Sequence, residues 1–312
     1  MNIPEDVDLI EYLALIGEQE SQGIRWANEF KGALLNRMQN GVNKEGDLLP
    51  WTKTHDHVQL RPGELSIWAG TNGHRKSMML GMVMLWVSSR SPVCIASFEM
   101  QPEATLMRMC YQAAGCIPSM PYAEKFADWC ENHICIYDEL DTVEAERVLG
   151  MVYYAAKELS CKHIVIDSLT KCGLGTDDYN AQKGFVDRLA WAAKTLNVHV
   201  HLVCHMRKGQ DEYSMPGKFD VRGASEITDL ADNVFVVWKN KRFEDLWKKQ
   251  AAGVILEQKE LDYLDKSSPQ MLCVEKQRHG EWEGKFRLGF CESSLQFTPD
   301  QDKKPLPFGP VR

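Results

Sequence analysis

The chain has 312 residues, 44% hydrophobic and 26% charged, the balance of a globular protein long enough to bury a substantial core. Its 36 basic and 44 acidic residues leave a net charge of −8, which argues against a surface coated with cations but leaves room for a narrow cationic channel. The ten cysteines include no C-x-x-C pair and mostly sit in apolar runs, so they read as reduced core residues rather than a disulfide framework or zinc site, and the longest apolar run, Met78 to Val87, is too short to cross a bilayer.

The acidic start, Met1-Asn2-Ile3-Pro4-Glu5-Asp6, lacks the build of a signal peptide. Residues 8–20 and 24–38 then space apolar side chains at helical intervals: Leu9, Leu13 and Ile16, then Trp26, Phe30, Leu34 and Leu35. A breaker cluster over 40–46 and the turn Arg61-Pro62-Gly63 follow. Residues 1–62 are expected to form a helical arm that packs on another surface, or else a helical layer of the same domain.

From residue 64 the pattern alternates. Strands are predicted over 65–69, 93–97, 134–137, 163–167, 198–204 and 233–238, with helices over 77–88, 102–114, 143–159 and 181–196. Short apolar strands separated by helices imply βαβ units and a mostly parallel sheet. A polar helical excursion is expected over 243–264. Strands 271–276 and 284–290 then flank Arg278-His279-Gly280 as a C-terminal β-hairpin. Four prolines from 299 onward suggest a flexible tail. The expected organisation is an arm (1–62), one α/β domain (63–298) and a tail (299–312).

The first strand runs into Gly70-Thr71-Asn72-Gly73-His74-Arg75-Lys76-Ser77, directly before a helix. A strand, a glycine loop and Lys-Ser at a helix start form a phosphate cradle. Backbone N–H groups of residues 70–77 face the anion, Lys76 reaches the β- and γ-phosphates, and the Ser77 hydroxyl ligates Mg²⁺. Arg75 stands where the pattern G-x-x-x-x-G-K-[ST] has its second glycine. A left-handed backbone there would cost about 1–2 kcal/mol. Arg75 would offset this as a second cation near the phosphates, or the loop would take another shape.

Three further strands end in titratable residues. His163-Ile164-Val165-Ile166-Asp167 ends in a carboxylate suited to the Mg²⁺ shell, or to capping the segment that follows. Cys94 to Ser97 leads to Glu99, a candidate general base or an ordinary exposed acid. Val200 to Cys204 leads to His205, a candidate γ-phosphate contact or a structural histidine. Lys276 and Arg278 at the hairpin read as a cation pair that reaches a neighbouring subunit's site, or as a solvated surface pair.

Together these motifs resemble the RecA-type motor domain of DnaB-like hexameric replicative helicases, with phage primase–helicases as the nearest kind. The resemblance covers about residues 60–290. It is carried by Leu60-Arg61-Pro62-Gly63-Glu64-Leu65, by Ser97-Phe98-Glu99-Met100 with Glu103, Leu106 and Arg108, and by Ile164-Val165-Ile166-Asp167-Ser168-Leu169. Further on come Val203-Cys204-His205-Met206-Arg207, then Asp220-Val221-Arg222-Gly223-Ala224-Ser225-Glu226-Ile227 continuing to Leu230-Ala231-Asp232, and Lys276-Gln277-Arg278-His279-Gly280.

The resemblance implies a P-loop NTPase that uses ATP and Mg²⁺. In it Lys76 and Ser77 bind nucleotide and metal, Glu99 is the catalytic base, Asp167 holds the metal, and His205 senses the γ-phosphate. Arg278 is the finger supplied in trans, with Lys276 as helper. Channel loops carrying Lys171, Arg207, Lys208, Lys218 and Arg222 would track single-stranded DNA. The implied assembly is a homo-oligomeric ring, most simply a hexamer. With no primase region upstream, a primase, polymerase or loader would be a separate partner. No membrane partner is implied, and the setting would be the cytoplasm, that of the host if the source is viral. The alternatives are another RecA-type ATPase, such as a recombinase or ring ATPase, and a nucleotide-binding loader or scaffold with a degenerate loop.

Overall fold

Apolar runs of four to seven residues bounded by turns must be covered on both faces, and a parallel sheet between helices does that. The computed structural model describes residues 8–17, 26–40, 46–175, 177–207, 213–222 and 225–307. A short ribbon pairs β1 (Asp47–Leu48) with β2 (Gln59–Leu60). The main sheet holds six parallel strands: β3 (Leu65–Gly70), β4 (Val93–Ser97), β5 (Ile134–Tyr137), β6 (His163–Asp167), β7 (His199–His205) and β8 (Asn233–Lys239). Antiparallel β9 (Gln270–Gln277), β10 (Gly284–Cys291) and β11 (Gln296–Thr298) extend it, giving the order β11-β10-β9-β8-β3-β7-β6-β4-β5. The expected α/β class, mostly parallel sheet and C-terminal hairpin are all present.

Strand alternation divides the core in two. Leu65, Ile67 and Ala69 of β3 join Ile164 and Ile166 of β6 on one face. There they meet α1 (Leu9–Gly17), α6 (Ala145–Lys157) and α7 (Tyr179–Leu196). Trp68 and Val165 point to the other face, covered by α3 (Lys76–Ser88), α4 (Pro102–Ala114) and α5 (Met120–Cys130). Helix α3 is apolar nearly all round because it is buried nearly all round.

The N-terminal segments go to different places. Helix α1 docks on α6, where the Leu9 carbonyl lies so close to Gly150 that a Cβ there would meet it at 2.1 Å. Helix α2 (Lys31–Asn40) and the turn before it leave Trp26, Phe30, Leu34, Leu35 and Met38 exposed. Leu49, Trp51, Val58 and Leu60 are wholly buried beside α3, so residues 46–60, which precede the expected boundary at 62, pack into the domain core. At the other end, residues 299–307 run back along the fold. Lys53 reaches the Pro299 carbonyl, and the Gln296 amide bonds the Leu306 backbone on both its sides. The excursion between β8 and β9 is two helices, α9 (Lys241–Ala251) and α10 (Gln258–Lys266), around a small core of Phe243, Leu246, Leu256 and Leu264. The remaining helix, α8 (Ser225–Leu230), leads into β8.

A polar seam crosses the buried sheet. Trp68 Nε1 donates to His201 Nδ1 (3.1 Å), His201 Nε2 meets His163 Nδ1 (3.1 Å), and His163 Nε2 meets Asp47 Oδ2 (3.0 Å). Indole can only donate, so His201 Nδ1 accepts, and the remaining protons run in one direction towards Asp47. His199 bridges the Ser66 hydroxyl and the Arg61 carbonyl, each at 2.7 Å. Burial drives the pKa of His199 and His201 well down, so both rings are neutral.

Candidate active site

Four neighbouring parallel strands, β3, β7, β6 and β4, end on one edge of the sheet, where α/β proteins gather their ligands. The register aligns them: Gly70 pairs with His205, and Ser97 with Asp167. The residues at and just beyond these ends therefore converge without any long reach.

The loop from Gly70 to Ser77 has the expected strand-to-helix setting. Gly70 permits a close approach, since a Cβ there would lie 2.5 Å from the Val237 carbonyl. Gly73 turns with φ +80°. Arg75 takes the left-handed conformation of a second glycine, with φ 68° and ψ 27°. Its side chain, however, leaves the loop. The guanidinium pairs with Glu244 of α9 at 3.0 Å, lies 3.4 Å from Gln270 Oε1, and sits 3.8 Å over the Phe290 ring. The expectation of a second phosphate cation is thus corrected, because the charge is committed to α9 and β10. What Arg75 offers the loop is its backbone. Thr71 and Asn72 occupy the turn, and the His74 N–H closes it on the Thr71 carbonyl at 3.1 Å. The His74 ring is buried, and its pKa is brought down to about 4 by desolvation and by the neighbouring cations Lys241, Lys76, Lys239 and Arg75.

Lys76 is buried, with its ammonium 2.8 Å from the Gly70 carbonyl, 3.3 Å from that of Thr71 and 3.5 Å from His205 Nδ1. Burial lowers its pKa while Asp167 and Glu99 oppose the shift. Asp167 is buried and its pKa is pushed up to about 6 by desolvation, against a hydrogen bond from Ser77. A desolvated carboxylate bonded to a hydroxyl is a donor pair suited to a hard divalent cation, which prefers oxygen ligands. Mg²⁺ therefore fits Ser77 and Asp167, and a triphosphate fits the N–H groups and ammonium beside them.

Glu99 lies one strand further along and is 45% exposed. It accepts from the Ser168 hydroxyl (3.1 Å) and lies 3.4 Å from His205 Nε2. Ser168 also contacts His205 Nε2 (3.3 Å) and Thr170 Oγ1 (2.8 Å). Ser168 thus joins the expected base to the expected sensor. The sequence motif that contains Ser168 assigns it no role, although its position next to a strand-end acid is a usable signal. Glu244 and Phe290, which hold Arg75, give no local signal because they lie far away in the chain.

Lys276 and Arg278 lie elsewhere. Gln277 pairs with Asn233, which pairs with Ser66, so the hairpin tip stands at the starting end of the parallel strands. Four residues of strand and two inter-strand steps separate it from Gly70, about 16 Å. Both side chains bond the end of α8: Lys276 to the Thr228 and Asp229 carbonyls, Arg278 to the Asp229 carbonyl (2.9 Å) and to Asp232 (3.3 Å). Neither reaches the phosphate loop of its own chain.

Of the expected channel cations, Lys171 pairs with Asp141 (3.0 Å), and Lys218 donates to the Glu275 carbonyl (3.3 Å). Arg207 and Arg222 are exposed and flank His205 through the backbone. Lys208 lies outside the described residues. No helix among the described residues is long and apolar enough to cross a membrane.

Comparison with known proteins agrees with this geometry. A family model described as an AAA domain matches residues 53–211. A DNA helicase/primase of Enterobacteria phage T3 is 25% identical over 130 residues, covering 39% of this chain and 22% of that protein. The chain therefore spans about a fifth of that relative's length. Among solved structures, one described as an ATPase domain aligns with a TM-score of 0.67 at 15% identity, covering 88% of this chain and 99% of that one. A DnaB-like replicative helicase, solved with attention to its interactions with primase, aligns with a TM-score of 0.64 at 15% identity, covering 92% and 70%. The fold is that of DnaB-like helicase ATPase domains, and with the family model spanning just over half of its length, the chain belongs to the AAA domain family.

Proposed function

We propose that this chain is the ATP-hydrolysing motor of a DNA helicase, assembled as a ring, most simply a hexamer, and moving along single-stranded DNA during replication. One observation carries the reading: the phosphate loop, Asp167, Glu99 and His205 meet at one edge of the sheet, whereas Lys276 and Arg278 stand at the opposite end. A site that lacks Lys276 and Arg278 of its own chain is completed by those of a second copy. Head-to-tail contacts of that kind form a ring where the rotation between copies closes.

In this reading the backbone of residues 70–77 and Lys76 bind the phosphates of ATP, and Ser77 and Asp167 hold Mg²⁺. The metal supplies charge neutralisation on the β- and γ-phosphates. Glu99 takes a proton from the attacking water, with Ser168 and His205 orienting its carboxylate. His205 relays the state of the site to the loop that follows it. Arg278 of one copy, with Lys276, stabilises charge at the next copy's site, an effect worth about 10³–10⁵ in rate. Lys171, Arg207, Lys208, Lys218 and Arg222 contact DNA phosphates. The arm, through the exposed apolar residues of α2, docks on a neighbouring copy, and residues 63–298 form the motor together with the core segment before them. A primase, polymerase or loader works with the motor in the cytoplasm.

ATPase activity measured with and without single-stranded DNA, alongside strand unwinding, tests the reading. Stimulation by DNA and ATP-dependent unwinding are expected. ATP binding without hydrolysis would point instead to a nucleotide-binding scaffold.

A further inference from the structure

We propose that Phe219 is a stacking platform for the bases of single-stranded nucleic acid, carried on a loop whose neck is the active-site residue His205. The proposal rests on the nucleic-acid reading above and adds contact with bases to a set of residues that would otherwise touch only phosphates.

The loop between β7 and α8 is closed at its base. Met206 and Val221 form an antiparallel bridge. The Arg222 N–H donates to the His205 carbonyl and the Arg207 N–H to that of Asp220, both at 2.8 Å. The neck therefore lies beside Lys76 and Glu99, 3.5 and 3.4 Å from the two ring nitrogens of His205. Phe219 is the middle residue of a single 3-10 turn, Lys218–Asp220. That turn is held by the Gly217 N–H on Asp220 Oδ2 (2.8 Å) and the Asp220 N–H on the Gly217 carbonyl (3.0 Å).

A firmly held backbone thus presents a ring that is 83% exposed. A single exposed apolar residue is ordinary on a protein surface. The surroundings of this one are not apolar. Lys218 Nζ lies 5.7 Å from the ring centroid, and Arg207 and Arg222 are exposed on the same loop. The one acid in the turn, Asp220, has its carboxylate engaged by the Gly217 backbone. By contrast, exposed Trp26 and Phe30 stand with Leu34, Leu35 and Met38, a composition suited to a protein face. An aromatic ring beside a cation is the pairing that binds single strands, with the cation on the backbone and the ring on a base of any identity. Because the neck is His205, a change at the nucleotide site would move the ring, and with it a stacked base.

The test uses the full chain, oligothymidine of about 20 nucleotides and an abasic strand of equal length, long enough to cover one such site. Phe219→Ala should weaken oligothymidine binding on the order of 10- to 100-fold, leave abasic-strand binding unchanged, and keep the slope of affinity against salt, which counts phosphate contacts. Phe219→Trp should keep the parent affinity and add an emission component, relative to the parent, that oligothymidine quenches and the abasic strand does not. If Phe219→Ala binds both strands as the parent does, the stacking role is overturned while the nucleic-acid reading stands. If it instead shifts the oligomeric state in sedimentation with base preference intact, Phe219 is a subunit contact and the proposal is overturned. A parent that binds neither strand overturns the nucleic-acid reading itself, and the proposal with it.

Discussion

Arg75 occupies a left-handed position that favours glycine, and its side chain is held by α9 and β10 rather than by the phosphate loop. The backbone conformation costs about 1–2 kcal/mol relative to glycine. Against this stand an ion pair with Glu244, whose partners are 14% and 19% exposed, and a guanidinium stacked on Phe290. A half-buried pair of this kind is worth about 1–2 kcal/mol, between the surface and buried limits, and the stack about 0.5–2 kcal/mol. The contacts outweigh the backbone cost by about 1 kcal/mol at the middle of these ranges, so Arg75→Gly should destabilise the chain by about 1 kcal/mol. Glu244→Ala tests the tie directly. In the parent it strands the guanidinium and leaves the strained backbone unsupported. In the Arg75→Gly background there is no guanidinium to strand, and glycine holds the left-handed backbone freely. Glu244 would then lose only its contact with Lys239, at 2.8 Å. The coupling between positions 75 and 244 should therefore be about 1–2 kcal/mol, measured as a double-mutant cycle by urea unfolding. The same cycle, read by affinity for a fluorescent ADP analogue, should show a fall of about 5- to 30-fold for Glu244→Ala only when Arg75 is present. Equal losses in both backgrounds would refute the tie.

Further outcomes follow from other contacts. Ser168→Ala removes the hydroxyl between Glu99 and His205, and should cut ATP turnover by about 3- to 10-fold while lowering stability by no more than about 1.5 kcal/mol, as expected for one hydrogen bond; unchanged turnover would remove Ser168 from the site. Gly150→Ala places a methyl group into the Leu9 carbonyl, and should destabilise the chain by about 1–3 kcal/mol or release α1, read by urea midpoint and by faster proteolytic loss of the N-terminal segment. His199 and His201 have folded pKa values well below their ordinary 6.5, so the unfolded chain takes up protons first as pH falls. Their contribution is constant above about pH 6.5 and declines below it by up to about 1.4 kcal/mol per pH unit for each ring. Asp167, raised to about 6, works in the opposite direction, so the comparison is between parent and His199→Gln/His201→Gln. The double variant should lose less stability between about pH 7.5 and 5.5, and a parallel loss would contradict the neutral state of His199 and His201.

The strands were legible because apolar runs such as Ile164 to Ile166 admit no amphipathic reading, and the edge where they end followed from βαβ connectivity. Helix α5 was missed although Ser119 and Pro121 mark its start. Strands β1, β2 and β11 have two or three residues, too few to show a period. Residues 46–60 carry no periodic signal, because the four side chains that bury themselves, Leu49, Trp51, Val58 and Leu60, are separated by polar and charged ones. At the site, Lys76, Ser77, Glu99, Asp167 and His205 were legible as residues that end a strand or follow a strand or loop. The fate of the Arg75 side chain was not, since Glu244 is 169 positions away. The position of Arg278 at the far end of the sheet depends on β9 running antiparallel to β8, a fact of pairing that no local pattern carries.

The claim that copies share each site is tested most directly by mixing two disabled variants. Lys76→Ala lacks a working phosphate loop but keeps Arg278, and Arg278→Ala has the reverse defect. Alone, each should be nearly inactive as a DNA-stimulated ATPase. Mixed equally and allowed to assemble, they form intact sites wherever an Arg278→Ala loop faces a Lys76→Ala hairpin, so activity should return to about a quarter of the parent level if subunits mix at random in a head-to-tail ring. A mixture that stays as inactive as its components, while sedimentation shows mixed assemblies, would contradict the account.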